Sequence, residues 1–345
     1  MSTQSQPSPM MQAAPISTGA TEAAPSHAAL KQAADWYARL RDGRTDANER
    51  VAWQAWLHAD PQHQTAWRYV EDISSGFEPL RGMPEARQAA DALHKANGRM
   101  QSRRNLLLAG VGVFTSSVLA AWVGYRQNLL LDGVMALGAD HRTGTGEQRE
   151  LTLADGTRLW LNTSSAVNVR FSDHERTVEL VTGEVFVATA KDAARSFFVQ
   201  TTHGRMQALG TRFNVLLDGE RTRLAVFDGA VEINTRRGAT RILPAGQQAH
   251  FSAEEIAANE TADLAREAWS QGTLVADNIT LGDVIAELRR YRPGHLGIAD
   301  DVTQLKVYGN FPIQDTDRVL AMLETALPIR VEQPLPWWTS IEAKR

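Results

Sequence analysis

The stretch "SRRNLLLAGVGVFTSSVLAAWVGYR", Ser102 to Arg126, divides the chain. No residue from Asn105 to Tyr125 is charged. As a helix rising about 1.5 Å per residue it would cover roughly 30 Å, the depth of a bilayer's hydrocarbon layer. Its Leu, Val and Phe side chains favour insertion at roughly −0.3 to −0.6 kcal/mol each. Gly110, Gly112, Gly124 and Thr115-Ser116-Ser117 return part of that gain. A buried core helix would be shorter or carry a polar stripe, and a cleaved signal peptide would begin near the amino terminus. The stretch reads as one membrane span, with Leu106, Val113, Leu119 and Trp122 in the lipid. Arg87, Lys95, Arg99, Arg103 and Arg104 precede it, and only Arg126 follows closely. By the positive-inside bias the amino end stays cytoplasmic and the carboxyl part is exported. Arg103 and Arg104 also resemble a twin-arginine export signal, with Leu106 in place of the usual Phe.

Outward from that stretch the composition is that of globular protein, 43% hydrophobic and 22% charged over 345 residues. The length allows two or three domains. Net charge is −4 with no concentrated basic run, which argues against direct nucleic-acid binding. The chain has no cysteine, so disulfides, thiolate metal sites and cysteine nucleophiles are excluded.

Before the span, residues 1–27 are rich in Ser, Pro, Ala and Gln and read as disordered. Residues 28–80 read as a small helical domain. Leu30, Ala33, Ala34, Tyr37 and Leu40 share one helical face, and Gly43 ends that helix. Thr45 is placed to cap a second helix, and Asp60-Pro61 opens a third. Four tryptophans, Trp36, Trp53, Trp56 and Trp67, crowd this short segment. A domain so small has difficulty burying four indoles, so Trp36, Leu40, Trp53, Trp56, Leu57 and Trp67 are candidates for a protein-binding face. Residues 81–104 form a juxtamembrane linker.

After the span the pattern turns to period two. "RELTLADGTRLWLN" (149–162) is a hairpin about Asp155-Gly156. Further turns are expected at Gly183, His203-Gly204 and Asp228-Gly229, giving an all-β domain over 140–252. A charged connector, 253–268, leads to a βα module over 269–333. In it Thr280 and Asp315 cap two helices, and the order is βαββαβ-like. Leu281, Ile285, Leu288 and Tyr291 on its first helical stretch are candidates for receiving a partner. The tail, 334–345, is expected to be irregular, with Trp337-Trp338 tucked against the module.

The sequence carries no nucleophile elbow, Walker loop or dinucleotide fingerprint. Its nine histidines are dispersed, and only His58 and His63 are close. Asp155, Asp228, Asp300 and Asp301 suit turns. No catalytic residue, metal or cofactor is expected. The fold class is therefore multidomain: a small all-α cytoplasmic domain, one transmembrane helix, an all-β periplasmic domain and a C-terminal α+β module.

Several motifs carry a family resemblance. "AADWYARL" and "WQAWLHADPQHQTAW" precede the span; "GEQRELTLADGTRLWLNTSSAVNV", "VELVTGEVFV", "FFVQTTHGRMQALGTRFNV" and "VFDGAVEI" follow it, and "GTLVADNITLGDVIAELRRY" comes last. In these the chain resembles the FecR family of transmembrane sigma-factor regulators, Trp160 being its one departure. The last segment is similar to the short N-terminal module of secretins and TonB-dependent receptors. The resemblance implies an inner-membrane anti-sigma factor that binds an extracytoplasmic-function sigma factor in the cytoplasm. It also implies a periplasmic end that reads the signalling domain of a TonB-dependent outer-membrane receptor for an iron chelate, with membrane proteases as further partners. An envelope or secretion assembly protein is the alternative reading, and a membrane-anchored hydrolase would need a clustered nucleophile and base.

Overall fold

The computed structural model describes residues 24–41, 46–77 and 138–344. The chain divides into two units, residues 1–71 and 72–345. Three helices open it: α1 (His27–Arg41), α2 (Ala47–Ala59) and α3 (Pro61–Phe77). Their tightest contacts use small side chains, with Ala29, Ala33 and Ala34 of α1 and Ala66 and Val70 of α3 buried. Alanine at these positions lets helix backbones approach closely without a loss of helix propensity. The cap of α2 is Asp46 and not Thr45. Asp46 Oδ1 accepts the Glu49 N–H at 2.7 Å, and Glu49 reaches back to the Asp46 N–H, forming a capping box. Asp60 accepts the Gln62 N–H at 2.8 Å at the start of α3, as its sequence suggests.

The expected fold class needs correction. Among the described residues no helix is long and apolar enough to cross a membrane. The architecture they form is a helical unit, a large β assembly and a terminal α/β module. Residues 105–125, with Leu106, Val113, Leu119 and Trp122, lie outside the described residues, as do Arg103, Arg104 and Gly43.

The β assembly of thirteen strands is organised by one long strand, β5 (Glu175–Ala188). The first half of β5 pairs antiparallel with β4 (Ala166–Phe171) and parallel with β6 (Ser196–Gln200). Its second half pairs with β3 (Arg158–Leu161) and β8 (Arg212–Asp218), both antiparallel. The strand therefore belongs to two sheets whose inner faces enclose one core, including Leu159, Leu161, Val185, Phe197, Phe213 and Leu224. Each such side chain contributes roughly 1.5–3 kcal/mol of hydrophobic stabilisation.

Gly183 was expected to turn the chain, but here it bends a continuous strand. It sits at φ +84°, two residues past Val181, where the pairing with β4 slips by one residue, and this bend passes β5 from one sheet to the other. The Asp155-Gly156 hairpin joins β2 (Arg149–Thr152) to β3 as expected, with Leu151 opposite Leu159 and Arg149 opposite Leu161. His203-Gly204 likewise turns β6 into β7 (Gly204–Ala208). Asp228-Gly229 does not make a hairpin. It carries β9 (Arg221–Asp228), paired with β8, across to β10 (Ala230–Thr235), paired with β7.

After β12 (Gln247–Phe251), a 3₁₀ helix (Leu264–Gln271) leads to the module. The module runs β14 (Thr273–Thr280), α4 (Leu281–Leu288), β15 (His295–Ile298), β16 (Lys306–Pro312), α5 (Thr316–Ala326) and β17 (Ile329–Leu335). Thr280 and Asp315 cap the helices as expected. The tail expected to be irregular instead forms β18 (Trp338–Ala343). It lies between β15, to which it is parallel, and β17, to which it is antiparallel. Buried Trp338, stacked on His295 at 3.8 Å, anchors it, so the module is βαββαββ.

A Cβ on Gly183 would collide with Ser165 Oγ and lie 2.6 Å from Ser165 Cα. Gly238 has a similar φ of +91° but open space around it. Gly183→Ala is expected to lower unfolding free energy by more than the roughly 1–3 kcal/mol of the backbone strain alone, with Gly238→Ala at or below that range. Denaturant melts of the two variants check this, and equal losses would contradict the sheet-switching role of Gly183.

Candidate functional site

The side chains expected to bind a partner through the helical unit are half-buried: Trp36, Leu40, Trp53, Trp56, Leu57 and Trp67. Trp67 is the hub, with Tyr37 at 5.7 Å and Trp53 at 4.9 Å between ring centres. Trp56 stacks on His63 at 4.4 Å and donates from Nε1 to Gln32 Oε1 at 2.7 Å. The Arg39 guanidinium lies over Trp36. No residue of α2 is fully buried, and Val51 is 65% exposed. A groove lined by Leu57, His58, Gln64, Trp67 and Arg68 runs beside it. The indoles are thus shared between a thin core and the surface.

The four residues expected to receive a signal in the module are placed otherwise. Leu281, Ile285 and Leu288 are fully buried on the packed face of α4, and Tyr291 is buried beside them. This corrects their assignment as partner contacts: the apolar spacing that marked them is the spacing of the module's own core. Tyr291 does have a polar role, made inside the second unit.

That role belongs to a buried joint between the β assembly and the module. At its centre is Glu184 of β5, whose side chain is 1% exposed. The switch at Gly183 turns Glu184 to the outer face, while Val185 and Val187 point into the core. Arg290, just past α4, reaches Glu184 Oε2 with Nη2 at 2.6 Å and Glu287 Oε1 with Nη1 at 2.7 Å. Asn162 Nδ2 donates to Glu184 Oε2 at 2.8 Å, and Asn214 Nδ2 to Oε1 at 2.7 Å. Asn162 also bonds Tyr291 Oη at 2.7 Å. Trp269 donates from Nε1 to Asn214 Oδ1 at 3.2 Å, so the connector joins the network. Gln148 Nε2 donates to Asn162 Oδ1 and to the Trp269 carbonyl.

Backbone contacts close the joint. Thr163 Oγ1 donates to the Arg290 carbonyl at 2.9 Å. Gly146, at φ +78°, runs so near the module that a Cβ there would lie 2.7 Å from the Tyr291 carbonyl oxygen. Around the polar centre Phe186, Trp269, Tyr291 and Ile313 form an apolar shell, packed against Trp160, Phe227 and Leu274. Trp160 faces outward, with Phe186 at 5.3 Å and the Arg158 guanidinium 4.5 Å above its ring.

Electrostatics follow from this enclosure. Burial pushes the Glu184 carboxyl up, but the Arg290 charge and the hydrogen bonds from Asn214, Asn162 and Arg290 outweigh it and hold the group below its ordinary value of 4.5. Burial raises the Tyr291 hydroxyl well above the usual phenol range, so it stays neutral. A buried pair this well supplied with hydrogen bonds fixes one geometry between two elements, and losing one partner strands the other's charge.

A second buried pair lies elsewhere in the β assembly. Arg176 meets Asp155 at 2.6 Å, both nearly inaccessible. Asp155 is thus a turn residue, as its sequence suggests, and also the anchor of a cross-sheet guanidinium. Glu184 did leave a signal in the sequence, a lone carboxylate inside the apolar run "VTGEVFVA". Among the described residues no group of three His, Asp or Glu side chains could hold a metal.

Within the β assembly, residues 139–232 match the FecR protein family. Residues 31–73, over the three helices, match a domain of unknown function, DUF4880. The resemblance read from the sequence is therefore borne out over these two segments. Two crystal structures of a proposed anti-sigma factor from Parabacteroides distasonis are similar at 24% identity and cover 59% of this chain. They align with TM-scores of 0.49 and 0.48 and are themselves covered to 99% and 98%. No curated protein matches the chain.

Arg290→Met is expected to destabilise the second unit by about 3–5 kcal/mol, because it leaves Glu184 charged, buried and short of its partner. Adding Glu184→Gln is expected to recover most of that loss, which a double-mutant cycle in urea measures. The folded Glu184 carboxyl titrates below 4.5, so its stabilisation is complete above that pH and is lost as pH falls through the folded value. Acid titration of stability is expected to be shallower in Glu184→Gln than in the parent chain.

Proposed function

We propose that this chain is an anti-sigma regulator. Its helical unit binds an extracytoplasmic-function sigma factor, and its second unit reads a signal from a TonB-dependent outer-membrane receptor that imports an iron chelate. The observation that carries the reading is the FecR match over 139–232 on a chain whose helices form a separate, tryptophan-rich unit. Half-buried aromatics beside exposed Val51 supply the kind of anchors that dominate protein interfaces. The amino end is placed in the cytoplasm and the second unit in the periplasm, at the inner membrane. The arginine excess ahead of residues 105–125 supports that orientation. Membrane proteases pass the signal on by stepwise cleavage that releases the helical unit with its sigma factor.

Co-purification of the full chain with the sigma factor encoded beside it tests the first half. Val51→Asp and Trp53→Ala are expected to weaken capture by about 30-fold or more, the loss of an interface anchor worth at least about 2 kcal/mol. Arg158→Gln, in the β assembly, is expected to leave capture unchanged. Capture indifferent to both helical variants would contradict the reading. For the second half, protease added outside intact spheroplasts is expected to digest residues 138–344 and spare 27–77.

A further inference from the structure

The outer face of the β assembly holds a cation that the joint does not use. Strands β9 and β12 pair so that Arg223 stands opposite His250, while Leu216 of β8 flanks Arg223 on its other side. The connector adds Arg266 beside this strip, and Arg221 lies two residues away on the same face. Among the described residues the Arg223 guanidinium makes no ion pair and no hydrogen bond, and its Nε is shielded from solvent without an acceptor.

Each nearby acid already has a partner other than Arg223, Asp263 having Arg266 itself. Glu184 serves Arg290 and two asparagines, and Glu287 serves Arg290. Asp263 lies 3.6 Å from Arg266 and accepts the Ala265 N–H, and Glu260 accepts from Gln248 at 3.1 Å. A guanidinium donor shielded from water without an acceptor is costly. The strip has the donors of an anion site.

We propose that this strip, Arg223 with Arg266 and His250 beside it, binds a small oxyanion, a carboxylate or phosphate group. The planar fork of Arg223 would donate two parallel hydrogen bonds to it. Arg266 supplies a second charge, and His250 a neutral ring that can donate or accept. The local field agrees: burial first and then the Arg266 charge hold the Arg223 proton affinity below its usual value, and burial with the Arg223 charge lowers His250. Because Arg223 lies within electrostatic reach of Glu184, Glu287 and Arg290, a bound anion is felt at the joint. The site stands whether or not a sigma factor binds the helical unit.

Thermal unfolding of the full chain in detergent tests it, in about 50 mM inorganic phosphate, malonate or chloride at matched ionic strength. Binding to the folded state alone raises the midpoint, by roughly 3–5 °C for a ligand well above its Kd. The parent chain is expected to show that rise over chloride in phosphate, in malonate or in both, and the pattern assigns the group to phosphate, carboxylate or either. Arg223→Gln is expected to abolish the rise and Arg158→Gln to keep it. Should Arg223→Gln fail to fold, Arg223→Lys, which keeps the charge but loses the fork, is expected to retain less than half of it. No rise in the parent chain overturns the proposal. So does an equal rise in the parent and the Arg223 variants, which would be general salting.

Discussion

A carboxylate removed from water must be met by donors or it will not stay ionised, and Glu184 sets this requirement at the centre of the second unit. Arg290, Asn162 and Asn214 meet it. These partners come from the terminal module, from the end of β3 and from β8, so satisfying one charge brings three parts of the chain together. The connector enters through Trp269, whose indole orients Asn214. The apolar shell of Phe186, Trp269, Tyr291 and Ile313 then excludes water, which strengthens each of those contacts. The charge thus adds a directional fastening to a joint that the apolar shell also closes.

The joint depends in turn on Gly183. A strand that stays in one sheet alternates its faces strictly, and β5 instead passes between two sheets at a left-handed glycine. That switch lets Val178 and Leu180 on one side and Val185 and Val187 on the other all face the core, while Glu184 faces out. The same backbone event therefore builds the hydrophobic interior and positions the polar centre on its outer surface. The core switch and the polar centre of the second unit therefore share one strand.

Much of this was legible in the sequence, and the failures share physical causes. Local signals held: the Asp155-Gly156 hairpin, the Thr280 and Asp315 caps and the apolar stripe of α4 are set by neighbours within a few residues. Asp228-Gly229 and Gly183 were misread because a turn-forming dipeptide and a sheet-switching glycine look alike until long-range pairing is known. The tail became β18 because a parallel partner, β15, lies some forty residues earlier, beyond the reach of periodicity. Leu281, Ile285 and Leu288 show the converse error, a core stripe taken for a docking face. Glu184 stood out only as a lone carboxylate in an apolar run, and Arg223 not at all, because only the fold shows which charge is met and which is not.

The most direct measurement of the central claim is native-state hydrogen exchange on the full chain, followed by mass spectrometry. If Glu184 fastens the module to the β assembly, peptides over 184–188 and over 284–291 open together, with matching protection that falls in parallel in mild denaturant. Module amides that exchange orders of magnitude faster than those of β5, with no common opening, would contradict it.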